Sequence, residues 1–448
     1  MNEPGDTIAA VATPGGRGGI GVVRISGPGS PRIALEICGA APRARAVRYC
    51  AFRAADGAVI DRGIALYFRG PASYTGEDVL ELQGHGGRAV MDMLLARALE
   101  LGARPARPGE FTERAFLNGK LDLVQAEAVA DLIDSASAAG ARSAMRSLEG
   151  RFSERVRGLQ DGLVETRAFV EGALDFPEEA AEFPAAGAAE RRFADWLGAA
   201  TALLEQARSG RVLREGLRVV IVGPPNAGKS SLLNLLAGSE RAIVDAVPGT
   251  TRDTVEEGFM VGAIRAHVVD TAGIRDASDA VETEGVRRAL AAAAGADLLL
   301  VVTEDARAEQ DLERLCPRLP ACRRILVRNK IDLSGTPANR TVHNGEATVA
   351  LSARTGAGLD LLLAELTEEA GGGVAGEDAI LARDRHIHAL EQASAAVQRA
   401  QEGLRAGRGV ELAAEELRAA QRELGRITGE FGADDLLGEI FARFCIGK

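Results

Sequence analysis

Eight residues constrain this chain more than any other feature: Gly223-Pro224-Pro225-Asn226-Ala227-Gly228-Lys229-Ser230. They fit G-x-x-x-x-G-K-[ST], directly follow the apolar run Leu217 to Val222, and open a helix-like run, Ser231 to Ala237. A phosphate cradle needs this layout. Glycines let backbone N–H groups curl around phosphate oxygens, and the start of the helix adds a positive dipole. Asn226, Ala227, Gly228, Lys229, Ser230 and Ser231 are therefore the expected phosphate contacts. Lys229 reaches the β- and γ-phosphates, and the Ser230 hydroxyl ligates Mg²⁺. A chain with this strand–loop–helix is committed to an α/β fold over that stretch.

Four further elements follow in order. Asp270-Thr271-Ala272-Gly273 closes the apolar run Ala266 to Val269. An Asp there can hold Mg²⁺ through water, and Gly273 can offer its N–H to the γ-phosphate. Asn329-Lys330-Ile331-Asp332 closes the next strand but one. Its Asp carboxylate can accept both N–H groups of a guanine edge, which adenine cannot supply. Ser352-Ala353-Arg354 closes the last strand, where a backbone N–H can meet the guanine oxygen. Thr250-Thr251 stands where a switch-loop Thr would reach Mg²⁺. Each element at the carboxyl end of a strand specifies a GTPase of the translation-factor-like class. Ile274 occupies the place where Ras-type GTPases carry a Gln that orients the attacking water. Glu282, Arg252 and Arg275 could take over such roles, or be solvated charges; spacing alone leaves both open.

The rest of the chain is bounded by its composition. A length of 448 residues suggests two to four domains, and 46% hydrophobic with 26% charged residues is a globular balance. The net charge of −11 excludes a protein that coats nucleic acid by bulk electrostatics, so any RNA must meet a local patch or a partner. The five cysteines are odd in number, and no C-x-x-C occurs; a reducing, cytoplasmic setting without zinc or disulfides is expected. The first residues show no signal-peptide pattern, and no run approaches the roughly 20 apolar residues of a membrane span. Only four lysines occur, Lys120, Lys229, Lys330 and Lys448, against 49 arginines.

Periodicity divides the chain. Residues 1–118 read as α/β, with strand-type runs at 19–25, 58–68 and 79–82. Residues 119–212 are amphipathic helices, as in Val156, Leu159, Leu163 and Val170. Residues 213–373 alternate strand and helix patterns, the mark of a mostly parallel sheet with helices on both faces. Residues 374–448 are helical again, with Asp434 starting a last helix. The α/β unit is expected as an insertion into one helical bundle.

At this point the whole chain resembles the MnmE (TrmE) family of tRNA-modification GTPases. The residues that carry the resemblance are Asp6-Thr7-Ile8, Ala12-Thr13-Pro14, Arg24-Ile25-Ser26-Gly27 and Tyr74-Thr75-Gly76-Glu77-Asp78. They continue through Glu81-Leu82-Gln83-Gly84-His85-Gly86-Gly87, Arg107-Pro108-Gly109-Glu110-Phe111-Thr112, Lys120-Leu121-Asp122-Leu123 and the end Phe444-Cys445-Ile446-Gly447-Lys448. Ribosome-assembly GTPases share the nucleotide motifs but neither the first 118 residues nor this tail.

The resemblance implies an N-terminal α/β tetrahydrofolate-binding and dimerising domain, then a helical bundle interrupted by a Ras-like P-loop GTPase domain. It implies addition of an aminomethyl or carboxymethylaminomethyl group at C5 of wobble uridine in tRNA. The one-carbon donor would be 5,10-methylene-tetrahydrofolate, with 5-formyl-tetrahydrofolate a related ligand. The partner would be an MnmG-type flavoprotein bringing FAD and NADH, joined to a homodimer of this chain. Folate ligands would fall on Arg24, Glu81, Lys120 and Lys448. Anionic glutamate tails suit Lys or Arg, whereas pterin N–H groups suit a carboxylate. The family also uses potassium where others use an arginine finger. Its ligands would be Asn226 and the loop Asp245, Ala246, Val247, Pro248, Gly249 and Thr250, chiefly Asp245, Val247 and Thr250, while Thr251 joins Ser230 at Mg²⁺. Glu282 would position the water. Cys445 is either a nucleophile or a small apolar residue at a helix end. The alternative to a modification enzyme is a GTPase switch in ribosome assembly or RNA binding.

Overall fold

The computed structural model describes residues 5–40, 43–135, 138–175, 185–224, 226–238, 256–261, 264–270, 296–305, 322–343, 346–369, 380–407, 409–430, 434–442, 444 and 447. The chain divides into two compact units. One comprises Met1–Ser135, Ala144–Leu203 and His388–Lys448; the other comprises Ala136–Ser143 and Leu204–Ile387.

In the first unit, β1 (Ile8–Val11), β2 (Gly18–Ser26), β3 (Arg48–Arg53), β4 (Val59–Phe68), β5 (Val79–Gly86) and β6 (Arg104–Pro105) form a six-stranded sheet. The order is β3-β4-β5-β2-β1-β6. Neighbours are antiparallel except β1 and β6. Side-chain alternation separates the two faces. Val23, Ile25, Phe52, Leu80 and Leu82 point into a core shared with Ile33 and Ile37 of α1 (Ser30–Cys38) and with Met91 and Leu94 of α2 (Arg88–Glu100). By the same alternation and register, Arg24, Tyr49, Glu81 and Gln83 take the opposite face.

The sheet is followed by α3 (Glu110–Leu117), α4 (Leu123–Asp134), α5 (Ala138–Leu148), α6 (Arg151–Asp175) and α7 (Ala185–Glu215). Asp122 starts α4 with a capping box: its Oδ1 accepts from Gln125 N at 2.9 Å, and its N–H donates to Gln125 Oε1 at 3.0 Å. The expected apolar stripes are buried: Phe152, Val156, Leu159 and Leu163 on α6, and Phe193, Trp196, Ala200 and Leu203 on α7. The helix Val410–Thr428 buries Leu417, Leu424 and Ile427. Arg167 of α6 donates to Gln421 Oε1 at 2.7 Å, so helices from both ends of the chain pack together. The insertion inferred from periodicity follows from this. The last helix, Asp434–Ala442, sets Ile440 and Phe441 against Leu123 and Ala126, with Phe116 alongside.

In the second unit, β7 (Leu217–Val222), β8 (Glu256–Val261), β9 (Ile264–Asp270), β10 (Leu298–Glu304), β11 (Arg323–Asn329), β12 (Asn339–His343) and β13 (Glu346–Ala350) form a seven-stranded sheet, ordered β12-β13-β11-β10-β7-β9-β8. The inner strands are parallel; β8 and β12 pair antiparallel at the edges. Val219, Ile221, Leu300 and Val327 face α8 (Lys229–Ala237) and α10 (Leu359–Glu369), meeting Leu232, Leu236, Leu362 and Leu366; α9 (Ile331–Ser334) is a single turn. Val220, Val222, Leu299 and Val301 are buried on the reverse face. Central parallel strands covered on both sides read as unbroken apolar runs, which is why 217–222 and 298–302 stood out.

β1, β3, β6, β8 and β12 were not among the expected strands. β12 is exposed at every position and β6 is two residues with a Pro, so neither carries an apolar pattern. No helix among the described residues is long and apolar enough to cross a membrane.

Candidate functional site

Parallel strands put their carboxyl ends on one edge, and there the second unit gathers its polar motifs. Gly223 follows β7, Asp270 ends β9, Asn329 ends β11 and Ser352 lies just past β13. The buried Asn329 ties three segments together. Its Nδ2 donates to Ala227 O at 2.8 Å, and its Oδ1 accepts from Lys330 N at 2.8 Å and Ala353 N at 2.9 Å. Gly228 sits at φ 93°, and a Cβ there would lie 2.2 Å from Asn329 Nδ2, so only glycine lets the phosphate loop close on this carboxamide. Asn226 also adopts positive φ, 63°, and is exposed. Lys229 Nζ donates to Gly223 O at 3.0 Å and Pro224 O at 2.8 Å, folding its ammonium over its own loop. Ser230 and Ser231 are exposed at the start of α8.

Asp332 is exposed beside this loop, and Ser352 Oγ donates to its Oδ1 at 2.7 Å. A carboxylate braced in this way can present its other oxygen to paired N–H donors such as a guanine edge. Ile331 is buried, Ala353 is buried and Arg354 is exposed. Lys330, at φ 66°, places Nζ 3.7 Å from Glu304 Oε2. Asp245, Ala246, Val247, Pro248, Gly249, Thr250, Thr251, Thr271, Ala272, Gly273 and Glu282 lie outside the described residues, as do Arg252, Arg275, Cys445 and Lys448.

A second polar centre lies on the open face of the six-stranded sheet. Arg24 and Glu81 are cross-strand partners on β2 and β5, and Arg24 Nε donates to Glu81 Oε1 at 2.9 Å. Both are largely buried, at 15% and 16% side-chain exposure, so the pair is held in a low-dielectric place where its charges count. The guanidinium lies 5.7 Å from the ring centroids of both Tyr74 and Phe111. Its Nη1 donates to Gly447 O at 3.2 Å, which brings the end of the chain to a strand 423 positions earlier. A Cβ on Gly447 would lie 2.5 Å from Val11 O, so the tail is pressed onto the end of β1. Lys120 Nζ donates to Pro71 O at 3.1 Å, on the loop that carries Tyr74. Tyr74 and Phe111 stand in the quoted motifs, and the aromatic ring in each is the signal by which sequence alone marks them.

Three other residues of the quoted motifs, Asp6, Glu77 and Glu110, build the fold together with two arginines that lie outside those motifs. Asp6, Glu77, Arg104, Glu110 and Arg114 form one network, with Arg114 Nη1 donating to Glu77 Oε2 at 3.0 Å and Arg104 Nη1 to Glu110 Oε2 at 2.9 Å. Burial pushes the Glu110 carboxyl up, but hydrogen bonds from Arg104 and from the Arg107 N–H overcome it and hold the group at about 2. Burial pushes the Tyr74 hydroxyl above its usual range against a hydrogen bond to Thr112.

Two family models match: one described as the MnmE helical domain over residues 123–445, and one as the GTP-binding protein TrmE N-terminus over residues 7–120. The chain is 56% identical to the tRNA modification GTPase MnmE of Azoarcus sp. (strain BH72), over 100% of this chain and 99% of that protein. It is 52% identical to the protein of the same description from Thiobacillus denitrificans, over 99% and 98%. The solved G domain of the T. maritima FeoB iron transporter aligns with 34% of this chain and 98% of that one, at 24% identity and a TM-score of 0.25.

Proposed function

The chain belongs to the MnmE (TrmE) family of tRNA-modification GTPases, and from that premise we propose a potassium-dependent GTPase that drives a folate-dependent modification of wobble uridine. GTP hydrolysis in tRNA modification is its activity. The proposal adds the cation, the one-carbon donor and an MnmG-type flavoprotein partner, with a homodimer of this chain working in the cytoplasm. The domains are taken as residues 1–118, 119–212, 213–373 and 374–448.

The observation that carries the one-carbon reading is the Arg24–Glu81 pair with the Gly447 carbonyl at its edge. A pure switch has no need to fold its tail onto a buried ion pair. Among the described residues both contacts of Arg24 with Glu81 fall on Oε1, so Oε2 can accept from a pterin N–H. Arg24, Lys120 and Lys448 supply cations for the anionic tail. Bound folate supplies the one-carbon unit; this chain's residues orient it and exclude water.

On the nucleotide side Lys229, Ser230 and Thr251 would neutralise phosphate and hold Mg²⁺, with Asp332 and Ala353 reading guanine. Asn226 fits a monovalent cation, because its positive φ presents an exposed carboxamide from the loop itself. Potassium supplies the positive charge that a guanidinium would bring in trans. Asp245, Val247 and Thr250 would complete its shell, and Glu282 would position the water.

The test is GTP turnover in potassium against sodium at equal ionic strength. Stimulation by potassium, lost in Asn226→Ala, is expected. Glu282→Ala should retain nucleotide binding while hydrolysis falls to near background. Equal rates in both salts would sink the cation-assisted reading and return Arg252 and Arg275 to consideration. Folate binding measured by titration should weaken at least about tenfold in Arg24→Ala, the size of a lost charge-assisted contact.

A further inference from the structure

A chain of net charge −11 can hold a polyanion only through a local surface. The free edge of the six-stranded sheet is such a surface. β3 pairs with β4 alone, so its other edge is open among the described residues. From Ile37 to Ala55 the sequence has no Asp or Glu, yet it carries Arg43, Arg45, Arg48 and Arg53. Arg69 joins them: Arg45 N donates to Tyr67 O at 2.8 Å, which draws the basic loop to the end of β4. None of these five arginines pairs with a carboxylate among the described residues, whereas Arg24, Arg104, Arg107 and Arg114 of the same unit all do.

Of the acids near in the chain, Glu36 on α1 is exposed and borders this stretch, whereas three others already accept hydrogen bonds. Asp61 accepts from the His85 backbone and ring and from Arg62 N; Asp78 accepts from Gly70 N, and Asp56 from Ala58 N. Arg43, Arg45, Arg53 and Arg69 are exposed, and Tyr49 between them is 69% exposed. A strand of this length runs about 20 Å, enough to follow several successive phosphates. By alternation Tyr49 stands on the opposite face from Arg48, so the edge offers a basic flank on one side and, on the other, an exposed ring on which an unpaired base can stack.

We propose that this edge, with Arg43, Arg45, Arg48, Arg53, Arg69 and Tyr49, is an RNA-contact surface that grips the tRNA backbone and stacks a base on Tyr49. It rests on the tRNA-modification reading above and says where on the chain the RNA is met.

The experiment titrates the full-length chain with a labelled, unmodified tRNA transcript bearing a wobble uridine, at several salt concentrations. The combined variant Arg43→Gln, Arg45→Gln and Arg48→Gln should bind at least about tenfold more weakly, with a log–log salt slope shallower by about 2–3. Tyr49→Ala should lose about fivefold or more in affinity with its salt slope unchanged. GTP turnover and thermal midpoint should match the parent in both. Variants that bind as the parent does overturn the inference. A changed oligomeric state with unchanged tRNA affinity assigns the edge to a second copy and also overturns it. A parent chain that binds no transcript overturns it too, while turnover in potassium separately reads the function proposed above.

Discussion

At Asn329 a single carboxamide holds the phosphate loop, its own turn and the Ser352–Arg354 loop in one arrangement. Asn329→Ala removes three hydrogen bonds, two of them buried, each worth about 1 kcal/mol. The second unit should lose about 2–3 kcal/mol by that count, checked by chemical denaturation, and a fluorescent GDP titration should show at least tenfold weaker binding. Glu110 behaves differently, because it is a buried carboxylate held by the guanidinium groups of Arg104 and Arg114 and by the Arg107 N–H. Its folded pKa of about 2 lies below an ordinary carboxyl near 4.5. The group therefore stabilises the fold above pH ~4.5, and that contribution, about 3 kcal/mol, is lost as pH falls toward 2. Denaturation midpoints of the first unit should drop across that window, and Glu110→Gln should flatten the drop.

Among the elements, α7 shows how close backbones can come. A Cβ on Gly210 would lie 1.6 Å from Ile380 O, so the helix and the segment at 380–382 touch without a side chain between them. Gly210→Ala must push them apart and should cost about 3 kcal/mol. Gly198, on the same helix, is exposed with nothing near its missing Cβ. Gly198→Ala should instead stabilise by about 0.5–1 kcal/mol, because alanine loses less backbone entropy in a helix. Paired thermal melts of the two variants decide it: shifts of the same sign would refute the contact argument. Trp196, the chain's one tryptophan, donates to Leu159 O at 2.8 Å between α7 and α6, so its fluorescence reports this packing directly.

For the whole molecule, the two compact units carry separate cores, one around Ile25, Phe52 and Leu82 and one around Ile221, Leu300 and Leu362. Calorimetry should therefore show two transitions. A ligand that binds one folded unit stabilises that unit by RT ln(1 + [L]/Kd), about 2.7 kcal/mol at a hundredfold excess over Kd. GDP with Mg²⁺ should raise only the transition of the unit holding the phosphate loop. A single transition, or two that rise together, would show the units to be thermodynamically coupled.

The sequence by itself determined the strand–loop–helix of the nucleotide site, the parallel sheet and the helical stripes. These signals are local: a glycine-rich turn, an apolar run or a 3.6-residue period states its own structure. The edge strands β3, β6, β8 and β12 escaped because an edge is held by its one partner rather than by its own pattern, and the interior β1 because four residues are too short to show a period. Family likeness pointed to Arg24 and Glu81, but only tertiary structure paired them and brought Gly447 to their side, 423 positions away. It alone also divided the quoted motifs into those that build the fold, such as Asp6, Glu110 and Asp122, and those facing the open sheet. The reason is that an ion pair's partner, its burial and its hydrogen bonds are set by which surfaces meet on folding, and no spacing along the chain encodes that meeting.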